Sequence, residues 1–286
     1  MMQINISIYP DLLENYFCSR KEFRKNTFEY NLISIIDNPY NKIVLTKKYL
    51  QFLDEIYQPE SELYDDYSNF MTFIIDGNCE IIESINSETL DEEFIFIANN
   101  CSSTTISVLK TEKNLSIKNY MCLEKVDSCP KSKVYLSLLK DRTAIVRYND
   151  FNNNTQLEDF FKEIFSFPRG VLSTIVIERY ANINHPYFDY FAENNILVKY
   201  YKFRATLADG SSLKRKFSRL ELYNTTNGEL VHERLILLGN LILNIDEDPM
   251  NLDVARKTWT ISLTYSYEVT QNLKRKCSDF SRMNFI

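Results

Sequence analysis

Polar and apolar residues alternate through Gln3-Ile4-Asn5-Ile6-Ser7-Ile8-Tyr9, the period-two pattern of a half-buried strand. Pro10 and Asp11 then open a short helix over Asp11–Cys18, with proline near the helix start. Asn31–Ile36 and Lys42–Leu45 are short apolar runs around an Asp37-Asn38-Pro39 turn. Thr46 reads as the N-cap of a helix with Tyr49, Leu50, Leu53, Ile56 and Tyr57 at helical spacing, and Pro59 ends it. Tyr64–Phe70 reads as helix, Phe73–Asp76 fits either state, and Glu80–Ile85 reads as a strand. Thr89 begins a further helix whose Asp91, Glu92 and Glu93 suit the positive end of the helix dipole. Thr104–Leu109 follows as a β-branched strand. Strands alternating with helices predict an α/β domain over 1–128.

Asp127-Ser128-Cys129-Pro130-Lys131-Ser132 reads as a linker, which places a second domain over 133–286. That domain begins with the apolar run Val134–Leu139 and a strand at Thr143–Tyr148. Next comes a helix over Gln156–Phe165, with Leu157, Phe160, Phe161, Ile164 and Phe165 on one face. Strands follow at Leu172–Ile177 and Ile196–Phe203, separated by a short helix over Tyr187–Glu193 that Asn184-His185-Pro186 caps. Further strands are expected at Leu220–Asn224, Leu230–Leu238, Asn240–Ile245 and Trp259–Tyr267. The β-α-β-α-β beginning favours a mixed, mostly parallel sheet flanked by helices, so the chain is expected to hold two α/β domains.

Composition narrows the class. With 44% hydrophobic and 25% charged residues and only 5 Gly and 7 Pro, the chain is globular rather than collagen-like or low-complexity. No apolar run reaches the roughly 18–20 residues that cross a bilayer, and the first residues lack a signal-peptide pattern. The 6 cysteines form no C-x-x-C pair, so reduced thiols and a cytoplasmic location are expected, with no cofactor. The net charge of −6 is unevenly spread: residues 1–130 hold 11 basic against 21 acidic side chains, and the remainder hold 22 against 18. The second half is thus the expected nucleic-acid binder, and the acidic first half the expected contact for a protein partner.

Within the second half the candidate chemistry is His232 and Arg234, two positions apart in Leu230-Val231-His232-Glu233-Arg234-Leu235. In a strand they share a face, and a nucleophile beside a fixed cation suits phosphate chemistry. The basic stretch Lys199–Arg219 reads as a hairpin around Asp209-Gly210-Ser211-Ser212, with Lys202, Arg204, Lys214, Arg215 and Lys216 as phosphate-backbone contacts.

The element order followed by a His-x-basic strand resembles the phospholipase D-like fold over about 140–286, whose signature is His-x-Lys and then an Asp. The resemblance implies that His232 attacks phosphorus, that Arg234 holds phosphoryl oxygens, and that Asn244 is a polar residue of the site. His232-Glu233-Arg234 is nearer to divergent groups reading His-acid-Arg, and Gly239 occupies the position of the signature Asp. Glu247, with Asp246 and Asp248, is the candidate to orient the imidazole in its place. The family's chemistry uses two histidines. With one motif copy, catalysis implies a homodimer, and His185 is assigned to a helix start.

The first half resembles the PIN-like nuclease fold over about 110 residues, which implies carboxylates gathered around a divalent metal. Asp91, Glu92, Glu93 and Glu112 are the candidates, while Asn5 and Ser7 stand where the first strand should carry an acid. Three functions follow as expectations. The first is a phosphodiesterase or nuclease, by analogy a bacterial defence or mobile-element effector. The second is a module that binds phosphate or nucleic acid without turnover, and the third a metal-dependent nuclease in the first half.

Overall fold

The computed structural model of the chain describes residues 3–21, 26–73, 76–77, 79–84, 87–101, 104–180, 183–248 and 251–284. Of the stretch Phe73–Asp76, which fits either state, residues 74–75 lie outside them, as does the expected strand end at Ile85. The chain forms two compact α/β units, Met1–Asp141 and Arg142–Ile286.

The first unit runs β1 (Ile4–Ile8), α1 (Pro10–Lys21), α2 (Thr27–Ile36), β2 (Asn41–Thr46), α3 (Lys47–Ile56), α4 (Tyr64–Phe73) and β3 (Cys79–Ile82). It continues with α5 (Leu90–Asn100), β4 (Thr105–Leu109), β5 (Tyr120–Cys122) and α6 (Pro130–Asp141). Its five strands make a parallel sheet in the order β3-β2-β1-β4-β5. β1 sits at the centre and is buried throughout, not half-buried as its alternation predicts. The cause is that a parallel sheet is covered on both faces. Its polar residues are satisfied inside: Asn5 Nδ2 donates to Glu80 Oε2 at 3.0 Å, and Ser7 to Ser107 at 2.8 Å. The Asn31–Ile36 run belongs to α2, started by a reciprocal Asn26–Glu29 cap. Thr46 caps α3 as expected, its hydroxyl accepting from the Tyr49 N–H at 3.0 Å.

The expected linker does not divide the units. Ser128 and Cys129 close a turn on the Lys125 carbonyl, and Pro130 opens α6. α6 packs on α2 and β5, and the Leu139 carbonyl accepts from Asn38 Nδ2 at 2.8 Å and Asn41 Nδ2 at 3.1 Å.

The second unit runs β6 (Thr143–Arg147), α7 (Asn154–Ser166), β7 (Ser173–Glu178), α8 (Asp189–Glu193), β8 (Leu197–Phe203), α9 (Leu207–Lys216) and β9 (Leu220–Thr225). Then come β10 (Arg234–Leu238), β11 (Leu241–Ile245), β12 (Thr260–Tyr265), α10 (Tyr267–Lys276) and β13 (Ser281–Arg282). The eight-stranded sheet has the order β13-β9-β8-β7-β10-β11-β12-β6. It is mixed: parallel pairing is confined to β7-β8-β9, and the other neighbours are antiparallel. Connection length explains the split. Helical crossovers join β7 to β8 and β8 to β9, while only Gly239 and Asn240 separate β10 from β11, which forces a hairpin. Gly239 has φ +57 at that turn, a conformation glycine adopts without strain. That is why a glycine, not an acid, stands there.

One sheet face packs Ile175, Ile177, Tyr201, Leu235, Leu237 and Ile242 against Leu273 of α10 and Cys277 just after it. The other carries an aromatic layer, with ring centroids 4.9 Å apart for Phe161–Tyr187 and 4.8 Å for Phe165–Phe191.

Candidate functional site

β7 and β8 end side by side, and β10 begins beside them. Glu178, the last residue of β7, pairs in register with Lys202, which pairs in turn with Asn224. On the other side Leu235 pairs with Ile177, so Arg234 stands one position further, opposite Glu178. Residues paired across strands share a face. Asn224, Lys202, Glu178 and Arg234 therefore form a polar row across the carboxyl ends of the three parallel strands and the start of β10, where α/β sheets place their ligands.

Glu178 is the unusual member, only 2% exposed. The Tyr200 hydroxyl bonds both Glu178 Oε2 and, at 3.1 Å, the Tyr180 carbonyl. Glu178 Oε1 is buried with no hydrogen-bond partner among the described residues. Burial pushes its carboxyl up to about 8, with Asp248 adding to the rise and Tyr200, Arg234 and Lys202 opposing it. Lys202 is committed to Asp209 at 3.2 Å. Arg234 is half-buried: Nη1 donates to the Asp246 carbonyl at 3.4 Å, and its Nε is buried without an acceptor among the described residues.

The remaining predicted residues fall in different places. His232 does not share the strand face with Arg234, because β10 starts at Arg234. Asn227 caps a short 3-10 turn over Gly228–Val231 through the Glu229 N–H at 3.1 Å, leaving His232 exposed on the bend that follows. Among the described residues its ring has no hydrogen bond, ion pair or ring contact. Glu247 has no hydrogen bond to the His232 ring; it accepts from Asn251 Nδ2 and the Asp248 N–H, each at 3.0 Å. Those bonds, then the charge of Arg234, lower its pKa. Asn244 pairs with Leu235 and so projects from the face opposite Arg234. His185 is buried, its Nδ1 accepting from the Tyr187 N–H at 3.2 Å at the start of a helical turn, as assigned; burial lowers its pKa.

The basic stretch is a strand and a helix, not a hairpin. Thr206 and Asp209 form a capping box that starts α9, and Lys214, Arg215 and Lys216 occupy its last turn. Since α9 returns the chain to the start of the parallel strand β9, those three lie at the far end of the sheet from Glu178. Lys216 is spent on Asp189 at 2.7 Å and on the Ile183 carbonyl at 2.6 Å. Arg204, with φ +47 just beyond β8, stacks 4.9 Å from the Phe203 ring centroid.

In the first unit the expected metal carboxylates are each engaged separately. Asp91 accepts from the Tyr9 hydroxyl at 2.5 Å. Glu93 is fully buried between Thr46, at 2.5 Å, and Ser87, where it ties the end of β2 to the start of α5. Glu112 pairs with Lys125, whose hydrogen bond and then its charge lower the Glu112 pKa. No group of three His, Cys, Asp or Glu side chains able to hold a metal occurs among the described residues, and Asp91, Glu93 and Glu112 each have a different partner. The fourth candidate, Glu92, completes the cap of α5 with Thr89.

Glu178 and Tyr200 are the site residues that sequence reasoning missed. Their signal is an acid closing the apolar run Ser173–Glu178 and a tyrosine inside the next parallel strand.

No family model matches the chain, and no curated protein matches it. Among solved structures it is similar to TrmBL2, described as an archaeal chromatin protein with a novel mode of DNA binding, at 12% identity and TM-score 0.32, over 56% of this chain and 65% of that one. It is also similar to NucT from Helicobacter pylori, at 8% identity and TM-score 0.35, over 48% of this chain and 92% of that one. A third is polyphosphate kinase from Porphyromonas gingivalis, at 14% identity and TM-score 0.35, over 72% of this chain and 34% of that one. The chain spans less than two thirds of the first and third of these. No helix among the described residues is long and apolar enough to cross a membrane.

Proposed function

We propose that the second unit is a phospholipase D-like domain that takes a phosphodiester of a nucleic acid at the rim carrying Arg234 and His232. The observation that supports this reading is the half-buried guanidinium of Arg234, with one N–H unused, two residues from an exposed imidazole. Arginine is suited to the role because its charge is permanent and its planar fork matches phosphoryl oxygens. In the catalytic form of the reading a His232 nitrogen attacks phosphorus and the bond to the leaving oxygen breaks. A second imidazole protonates that oxygen, and water then hydrolyses the phosphohistidine. The rim of one chain supplies one histidine, so the second comes from another copy across a two-fold axis.

Binding without turnover is the second reading. It is favoured by the His232 ring, which has no orienting partner among the described residues, and by Glu247, whose Oε1 accepts from Asn251 and Asp248. One experiment separates them. Cleavage of labelled single-stranded DNA and RNA is followed in EDTA for wild type and His232→Ala, beside binding by Arg234→Ala over a salt series. The catalytic reading expects cleavage that His232→Ala abolishes with binding retained. Arg234→Ala weakens binding and reduces the salt slope by about one. Binding with no cleavage by wild type leaves the second reading. Unchanged affinity in Arg234→Ala overturns both.

A further inference from the structure

Tyr200 has one hydroxyl proton, yet its oxygen faces two acceptors, Glu178 Oε2 and the Tyr180 carbonyl at 3.1 Å. An ionised Glu178 would leave one of those contacts without a hydrogen. A protonated Glu178 satisfies both, its own O–H donating to the tyrosine oxygen while the tyrosine donates to the Tyr180 carbonyl. The other carboxyl oxygen, Oε1, remains buried without a donor, and Arg234, at the neighbouring register position on the same face, keeps a buried Nε–H without an acceptor. Among the described residues the two form no ion pair with each other. A buried acid and a half-buried cation so placed would pair if both were charged.

We propose that Glu178 is the positioning residue that sets the anion affinity of Arg234. As a neutral acid it leaves the guanidinium to a phosphate oxygen, and as a carboxylate it takes the guanidinium for itself. This rests on the reading of Arg234 as the phosphate-binding group. The charged and titratable groups around Glu178 are Tyr187 from the 186–188 turn, Tyr200 and Lys202 from β8, Arg234 from β10, and Asp248 after β11. Lys202 is paired with Asp209, while burial holds Tyr187 and Tyr200 well above the usual phenol range, so both stay neutral. Glu178 is the group in this set raised by burial into the pH range of a binding experiment, at about 8.

The test uses the full chain and a cyanine-labelled oligodeoxyadenylate, whose bases and diesters do not titrate in the range used. Wild-type affinity should be level below about pH 7 and fall about tenfold per pH unit above pH 8, while Glu178→Gln, always neutral, stays level. Should Glu178→Gln fail to fold, calorimetry on wild type in two buffers of different ionisation enthalpy reads the same event. Binding at about pH 8 should take up about half a proton, and binding at about pH 6 none. A Glu178→Gln profile that follows wild type, or no proton uptake at pH 8, overturns the gate alone. Arg234→Ala binding as tightly as wild type at pH 6 overturns the underlying reading and the gate with it.

Discussion

A carboxyl enclosed by strand backbone, Tyr187 and Tyr200 is less costly to bury with its proton on. For Glu178 this ties folding to pH. Its folded-state pKa, about 8, lies above the ordinary carboxylate value, so the folded chain holds a proton that the unfolded chain has lost. The stabilisation is complete below about pH 4, declines as pH rises through the window, and is gone above about 8. Denaturant unfolding of wild type and Glu178→Gln at about pH 5 and pH 8 should therefore differ. Wild type should lose stability relative to the variant by on the order of 1 kcal/mol per pH unit between those values. A constant difference between the two proteins would contradict the buried, protonated acid. At this scale the sequence was legible where one residue type had one use. His185 starts a helical turn as expected, its Nδ1 accepting from the Tyr187 N–H. Glu178 was not legible, because an acid at the end of an apolar run reads equally well as the first exposed residue after a strand. Only the pairing of β7 with β8 and β10 encloses it.

Local signals compete at the level of elements, and the stronger one decides. Thr206 and Asp209 lie three apart at the start of the basic stretch, and their reciprocal hydrogen bonds begin α9 where Gly210 and two serines suggested a hairpin tip. Thr206→Ala removes the hydroxyl that accepts the Asp209 N–H at 3.2 Å. It should lower the unfolding free energy by about 1 kcal/mol, read from the denaturant midpoint at constant slope. An unchanged midpoint would mean that α9 is held by tertiary packing alone. The same competition displaces His232. Val231-His232-Glu233-Arg234-Leu235 reads as an unbroken strand, but the Asn227 cap winds Gly228–Val231 into a turn, and β10 begins only at Arg234. Periodicity located every strand of the parallel trio β7-β8-β9, since buried parallel strands are continuous apolar runs bounded by polar turns. It could not assign their neighbours, because pairing direction depends on connection length and on distant partners.

At the scale of the whole chain, the expected boundary and the observed one differ by the length of one helix. Cys129-Pro130 reads as a break, and proline is equally the usual first residue of a helix, so composition alone cannot tell a linker from the start of α6. The structure gives α6 to the first unit, where Val134, Tyr135, Leu138 and Leu139 are fully buried and the Leu139 carbonyl is held by Asn38 and Asn41. Burying each such side chain contributes about 1.5–3 kcal/mol, so losing the helix removes as much as the whole stability of a typical domain, about 5–15 kcal/mol. Fragments ending at Asp141 and at Ser128 should therefore behave differently. The longer should unfold in one cooperative denaturant transition. The shorter should show none, and should expose the apolar surface of α2 and β5 to a hydrophobic dye. A cooperative transition of equal midpoint in both would return α6 to the second unit. The companion fragment 142–286 carries Arg234, Glu178, Tyr200 and Lys202 entire, so its oligonucleotide affinity and its response to Arg234→Ala should match those of the full chain. A loss of affinity in the fragment alone would place part of the binding surface in the first unit.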